Sequence, residues 1–312
     1  MLKKGIYAAL ASAIFLGMTP VFGKQAILLG MSPLAVVALR TIFATGLLLI
    51  IVLIYKPSYL YIYPAGLLGC LLAGGINGLG SLFYYAALGR IDASLGQLLY
   101  AMYPLFLVIW LWLDHQPPSS LTLFRLFLII PAIYLLTRSE YQQVDLVGVF
   151  MMLVASCLYA FHLPINQRVL YDMPAPTVTL YTLLAMSIIV LPGFFIARSS
   201  LFPALKIAWG SVIGLTLVTF LSRLTLFLGI KHLGGMQTAL LGLGELLVTI
   251  IVSHLWLDEQ LSLQQWGGAL ILVISLGLIA LEKPIHRIHG REGWLSWLRP
   301  PGLPNDIPWP HE

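Results

Sequence analysis

Apolar residues along the chain gather into about ten long runs separated by short polar breaks. Most runs approach the roughly 20 residues that cross the hydrocarbon layer of a bilayer as a helix. The pattern predicts spans at 5–29, 33–54, 62–88, 93–113, 121–137, 146–166, 177–197, 209–229, 235–257 and 263–281. Turn formers fill the breaks: Gly30–Pro33, Lys56-Pro57, Gly89–Asp92, Pro117-Pro118, Asp172–Pro176 and Lys231–Gly235. The runs are continuous, whereas the strands of a membrane β-barrel alternate, so a barrel is excluded. The expected fold class is an all-α polytopic membrane protein. Links this short leave no room for a soluble domain between spans.

Composition agrees. The chain is 59% hydrophobic and 9% charged, against roughly 25% charged in a soluble domain. Its net charge of +5 reflects Lys and Arg flanking the spans, which argues for no nucleic-acid partner. Cys70 and Cys157 both fall inside spans and read as small core residues, with no metal site or disulfide framework. Lys3 and Lys4 before an apolar stretch resemble a signal peptide, but the run continues to Leu29 without a small-residue cleavage site. A retained first helix is expected.

Cationic residues set the orientation. With the N-terminus in the cytoplasm, the inner side carries Lys3, Lys4, Lys56, Arg125, Arg168, Lys231, Lys283, Arg287, Arg291 and Arg299. The outer side carries only Lys24, Arg90, Arg138, Arg198 and Lys206. This favours both termini inside a plasma (inner) membrane. The segment 284–312 is a basic tail rich in Trp and Pro. Anchoring of Trp294, Trp297 and Trp309 at the membrane interface and ordinary terminal disorder are both open.

A shift of about 143 residues lays Gly5 on Gly148 and Pro33 on Pro176. The hexapeptides LWLDHQ (111–116) and LWLDEQ (255–260), at a shift of 144, each close the fourth span of a half. An odd number of spans per half turns the second half upside down. The chain therefore divides into 1–138 and 139–283, two inverted five-helix repeats. Transporters built this way bind solute near the midplane, at the repeat interface.

Charges inside the spans are expensive and face the bundle interior or a water-filled cavity. Glu245 lies near the middle of span nine, on one face with Thr249 and Thr238. It reads as a proton- or substrate-binding acid, or as a structural acid between helices. Arg223 in span eight is its natural partner, as a substrate clamp or half of a structural ion pair. Arg40 in span two is a cavity cation or a side chain snorkelling to an interface. Asn77, Ser81 and Tyr84 form one polar stripe, and Gln97, Tyr100 and Pro104 another. Either they line a cavity or they bond between helices. His162 shares an arc with Tyr159 and Asn166 and is a proton-relay candidate or a hydrogen-bonded interface residue. Gly74/Gly78 and Gly210/Gly214 have the spacing of close helix approach. Asp258 and Glu259 stand at a span end, where solvated charge needs no special role.

Three stretches resemble the EamA-type members of the drug/metabolite transporter superfamily. They are SPLAVVALRTIFATGLLL (32–49), YYAALGRIDASLGQLLYAMYPLFLVIWLWLD (84–114), and GGMQTALLGLGELLVTIIVSHLWLDEQLSLQQWGGALILVISLGLIAL (234–281). The resemblance covers about 5–283. Arg40 stands at the family's Arg position. Where family members have Glu-Pro this chain has Glu245-Leu246, and the matching place in the first half is Tyr103-Pro104. A helix break is therefore expected in span four and not in span nine.

The resemblance implies a secondary transporter that exports amino acids, related metabolites or drugs by alternating access, with protons as a candidate coupling ion. Glu245, Arg40, Arg223, Gln97, Tyr100, His162 and Asn77 are the expected substrate-binding or proton-coupling residues. The expected partners are a small-molecule solute and the lipid bilayer. No cofactor and no catalytic residue are expected, since G-x-S-x-G, H-E-x-x-H and Walker motifs are absent. An intramembrane enzyme acting on lipid or isoprenoid, or a non-transporting sensor, is the alternative.

Overall fold

The computed structural model describes residues 2–113, 120–136, 144–170, 173–196, 208–233, 238, 241, 242 and 244–278. Their helices are α1 (Leu2–Leu28), α2 (Pro33–Tyr55), α3 (Pro64–Leu88), α4 (Ala93–Tyr100), α5 (Tyr103–Leu113), α6 (Ser120–Leu136), α7 (Leu146–Leu170), α8 (Ala175–Ile196), α9 (Ala208–Leu233), α10 (Gly244–Leu257) and α11 (Leu263–Gly277). They account for the ten spans, with α4 and α5 sharing the fourth. Apart from span nine, whose expected start at 235 lies outside the described residues, starts agree with expectation to a few residues because turn chemistry marks them. Ser32 caps α2 by accepting the Ala35 N–H at 3.1 Å, with Pro33 in its first turn. At the end of α1, Gly30 has φ 96°, and the amides of Gly30 and Met31 bond back to the Ile27 and Ala26 carbonyls. That is a Schellman termination.

Span four breaks at Ala101–Met102, as the Tyr103-Pro104 pair predicts. Pro104 has no N–H to offer the Tyr100 carbonyl one turn earlier. The freed carbonyl accepts instead from the Ser156 hydroxyl of α7 at 2.8 Å. Whether span nine is continuous at residue 243 lies outside the described residues. The hexapeptide 111–116 runs beyond them at residue 114, and the tail 284–312 lies wholly outside.

Packing follows the repeat. Span one (α1) lies along span eight (α9), and span three (α3) lies along span six (α7). Span two packs on span seven, and span five on span ten. Each relation maps onto itself or onto its partner when the halves are exchanged. Glycines set the closest approach: a Cβ on Gly74 would fall 2.5 Å from the Thr182 carbonyl oxygen of α8. Gly78 faces Met186 and Ile189 of the same helix. The second glycine pair differs, since Gly214 meets the Phe22 ring while Gly210 meets nothing within 4 Å.

The outer faces carry exposed Ile14, Ile54, Phe127, Ile130, Phe150, Ile188 and Ile213, the surface a lipid solvent favours. Cys70 is buried in α3 and Cys157 half-buried in α7, and both are unpaired.

Candidate functional site

Spans with such oily exteriors still bury charge at the centre of the bundle. Arg40 (α2) and Arg223 (α9) are each 5% exposed, and Glu245 (α10) is 3% exposed. All three line one cavity. Asn77, Ser81 and Tyr84 reach it from α3, Gln97 and Tyr100 from α4, and Ser222 from α9. Leu16 and Thr19 of α1 close one wall. The space not filled by atoms is about 490 Å³, its open mouth included.

Each charge is held in its own way. Arg40 donates from Nη2 to Ser81 Oγ at 3.1 Å and lies over the Tyr85 ring, 4.6 Å from its centroid. Among the described residues its Nε has no hydrogen-bond partner. Arg223 rests on the Asn77 carboxamide. With the amide turned so that its oxygen faces the guanidinium, as the donor pattern requires, Nη1 and Nη2 donate to it at 3.1 and 3.2 Å. The Tyr159 ring lies beneath, 5.5 Å from the guanidinium carbon. A guanidinium over a ring gains from the ring quadrupole, and more so away from water.

Glu245 sits where α1 and α10 nearly touch. A Cβ on Gly17 would fall 2.6 Å from the Glu245 carbonyl oxygen and 2.7 Å from Val248 Cβ, so only glycine admits this approach. Thr249, expected to share the polar face of Glu245, turns to α1 and donates to the Gly17 carbonyl at 2.7 Å. Arg223 and Glu245 are within electrostatic reach of each other. They nevertheless close no ion pair within 4.0 Å; among the described residues that contact is made by Arg90 and Asp145.

Of the tyrosines, Tyr84 and Tyr100 line the cavity. They continue into a packed row, Tyr84, Tyr100, Tyr159 and Tyr103, with centroid separations of 4.8 Å (Tyr84–Tyr100), 5.1 Å (Tyr100–Tyr159) and 4.9 Å (Tyr103–Tyr159). The Tyr84 hydroxyl donates to Gln97 Oε1 at 3.3 Å, which fixes the glutamine on its wall.

Six of the seven expected site residues thus meet at the cavity: Glu245, Arg40, Arg223, Gln97, Tyr100 and Asn77. His162 does not. Its ring is fully buried against Tyr159, and its Nδ1 contacts the Tyr159 carbonyl of its own helix. Sequence reasoning did not find Tyr85, Ser222, Leu16 or Thr19. A polar residue in an otherwise apolar span is the signal for Ser222 and Thr19, whereas Tyr85 and Leu16 carry none.

Apolar spans wrapped around a charged cavity define a polytopic membrane transport protein. The chain belongs to the EamA-like transporter family, which it matches twice, at 3–138 and 146–281. That family is part of the drug/metabolite transporter superfamily. The chain is 27% identical over 210 residues to the uncharacterized transporter sll1319 of Synechocystis sp., a match spanning 64% of this chain and 62% of that relative. It is 24% identical over 277 residues to the uncharacterized transporter YcbK of Bacillus subtilis, spanning 81% and 86%. A protein of known crystal structure shares the fold at TM-score 0.65 and 15% identity, over 90% of this chain and 97% of its own.

Proposed function

We propose that this transporter exports small organic zwitterions, amino acids or related metabolites, from the cytoplasm across the plasma (inner) membrane. The reading rests on one observation: two guanidinium groups and a carboxylate line one buried cavity, and the acid pairs with neither cation. Charges held away from water require compensation. A solute carboxylate between Arg40 and Arg223, with its ammonium on Glu245, supplies it. Tyr84 and Tyr100 then offer ring faces to an apolar or aromatic side group, and Gln97 orients it.

The first half (1–138) contributes Arg40, Asn77, Gln97 and Tyr100, and the second (139–283) contributes Arg223 and Glu245. Rocking of one half on the other opens the cavity to either side in turn, with both termini remaining cytoplasmic. Once the ammonium leaves, a proton on Glu245 replaces its charge, which couples export to proton entry.

The test is flux through purified protein in liposomes, using a panel of amino acids, nucleobases and cationic drugs with and without a pH gradient. Saturable flux of a zwitterion is expected. Absence of flux for every solute sinks the proposal.

A further inference from the structure

One turn of α4 from the cavity residue Gln97, Glu259 has left the solvated role that a span end suggests. It follows α10 in the loop to α11, after Asp258, whose φ of 54° turns the chain back. Its carboxylate reaches the start of α4, 165 residues away. Oε1 accepts the Ala93 N–H at 2.8 Å, while Oε2 accepts the Ser94 N–H at 2.9 Å and the Ser94 hydroxyl at 2.7 Å. Helix starts leave such amides unpaired, and the residue preceding the helix ordinarily caps them. Here Asp92 makes no side-chain cap bond, so a distant carboxylate in the other half of the chain caps α4.

A second side chain holds the same turn. Lys24 of α1 donates from Nζ to the Leu88 carbonyl at 2.9 Å, at the end of α3, and to the Ile91 carbonyl at 2.8 Å. A cation on carbonyls at a helix end and an anion on amides at a helix start both match the local dipoles. A third tie joins Arg90 of this turn to Asp145, just before α7, at 2.8 Å.

The gripped hairpin carries the cavity wall. Asn77, Ser81 and Tyr84 stand on α3, and Gln97 and Tyr100 on α4. At the inner end of α4, the break at Ala101–Met102 separates this eight-residue helix from α5. We propose that Glu259 is a latch: its cap on α4, backed by Lys24, holds the α3–α4 hairpin closed at the end of the bundle opposite the N-terminus, and its release opens the cavity there. This rests on the alternating-access reading above. The echoed hexapeptide puts His115 where Glu259 stands, so the sequence does not repeat this carboxylate in the other half.

The latch is tested by cysteine accessibility in the full chain. A protein carrying Ser81→Cys, Cys70→Ala and Cys157→Ala is reconstituted, and a membrane-impermeant maleimide is added to one face at a time. Glu259→Ala in this background is expected to raise labelling from the face opposite the N-terminus at least tenfold and to lower it from the N-terminal face. Ser94→Ala, which removes one bond of three, is expected to give about threefold and carries the test if Glu259→Ala is not recovered folded. Unchanged labelling, or a rise from both faces, overturns the latch. The readout needs no solute: a latch response without flux retains the latch and discards the transport reading, and flux with unchanged labelling does the reverse.

Discussion

Arg223 and Glu245 line the same cavity from successive spans, yet Arg223 is bonded to Asn77 and not to the carboxylate. Asn77 therefore sets where the cation sits without closing an ion pair on it. Replacing Asn77 by Leu keeps the volume and removes the acceptor. Hydrogen bonds to charged groups are worth about 1.5–3 kcal/mol, and 1.4 kcal/mol is a factor of ten in affinity. The expected outcome is a KM for solute raised about tenfold or more, with Vmax changed less. An unchanged KM together with a lowered melting temperature would assign Asn77 to scaffolding alone.

Gly17 is a contact for which no larger residue has room. Gly17→Ala places a methyl carbon 2.6 Å from the Glu245 carbonyl oxygen, well inside van der Waals contact. Overpacking of this kind costs about 1–3 kcal/mol. The melting temperature in detergent should fall by several degrees, and Glu245 should move relative to Arg223, reducing flux. Unimpaired stability and flux would show that α1 and α10 separate at no cost.

Ser156 answers a carbonyl that proline leaves free. Ser156→Ala should cost about 1 kcal/mol, the ordinary worth of one hydrogen bond. In a Pro104→Ala background residue 104 regains its N–H, and the same change should cost less. A thermal-melt double-mutant cycle measures that difference. Strict additivity would mean that the Ser156 bond and the Pro104 break are unrelated.

Much of this was legible in advance, for identifiable reasons. Bilayer thickness sets the length of apolar runs, so the spans from Pro33 and Leu146 follow from hydrophobicity and turn formers. The stripes Asn77–Ser81–Tyr84 and Gln97–Tyr100 follow from helical spacing, because polar side chains in oily helices have few places to go. What stayed hidden depends on contacts between distant segments. A histidine looks the same in sequence whether it faces a cavity or, like His162, its own helix. The partners of Glu259 are largely backbone amides, and a backbone amide has no letter in a sequence.

The Arg90–Asp145 tie carries a pH signature. The Arg90 hydrogen bond holds the Asp145 carboxyl below its ordinary range. A depressed value means that stabilisation is present above the unfolded-state value, about 3.9, and is lost as pH falls through the lower folded value. Wild type and Asp145→Asn should therefore differ in melting temperature at pH 7 and converge in strong acid. Both side chains are partly exposed, 48% and 34%, so the difference should be small and shrink with salt. A gap that widens on acidification would contradict the assignment.

The central claim is that Glu245 is a working acid in a solute cavity and not half of a structural ion pair. Its most direct measurement is flux of the best solute through Glu245→Gln in liposomes, with and without an imposed pH gradient, compared with wild type. The account predicts a folded protein that has lost the acceleration a pH gradient gives wild type, with weakened binding of solutes that carry an ammonium group. Gradient-driven flux equal to wild type, with Arg223→Ala failing to fold, would contradict it.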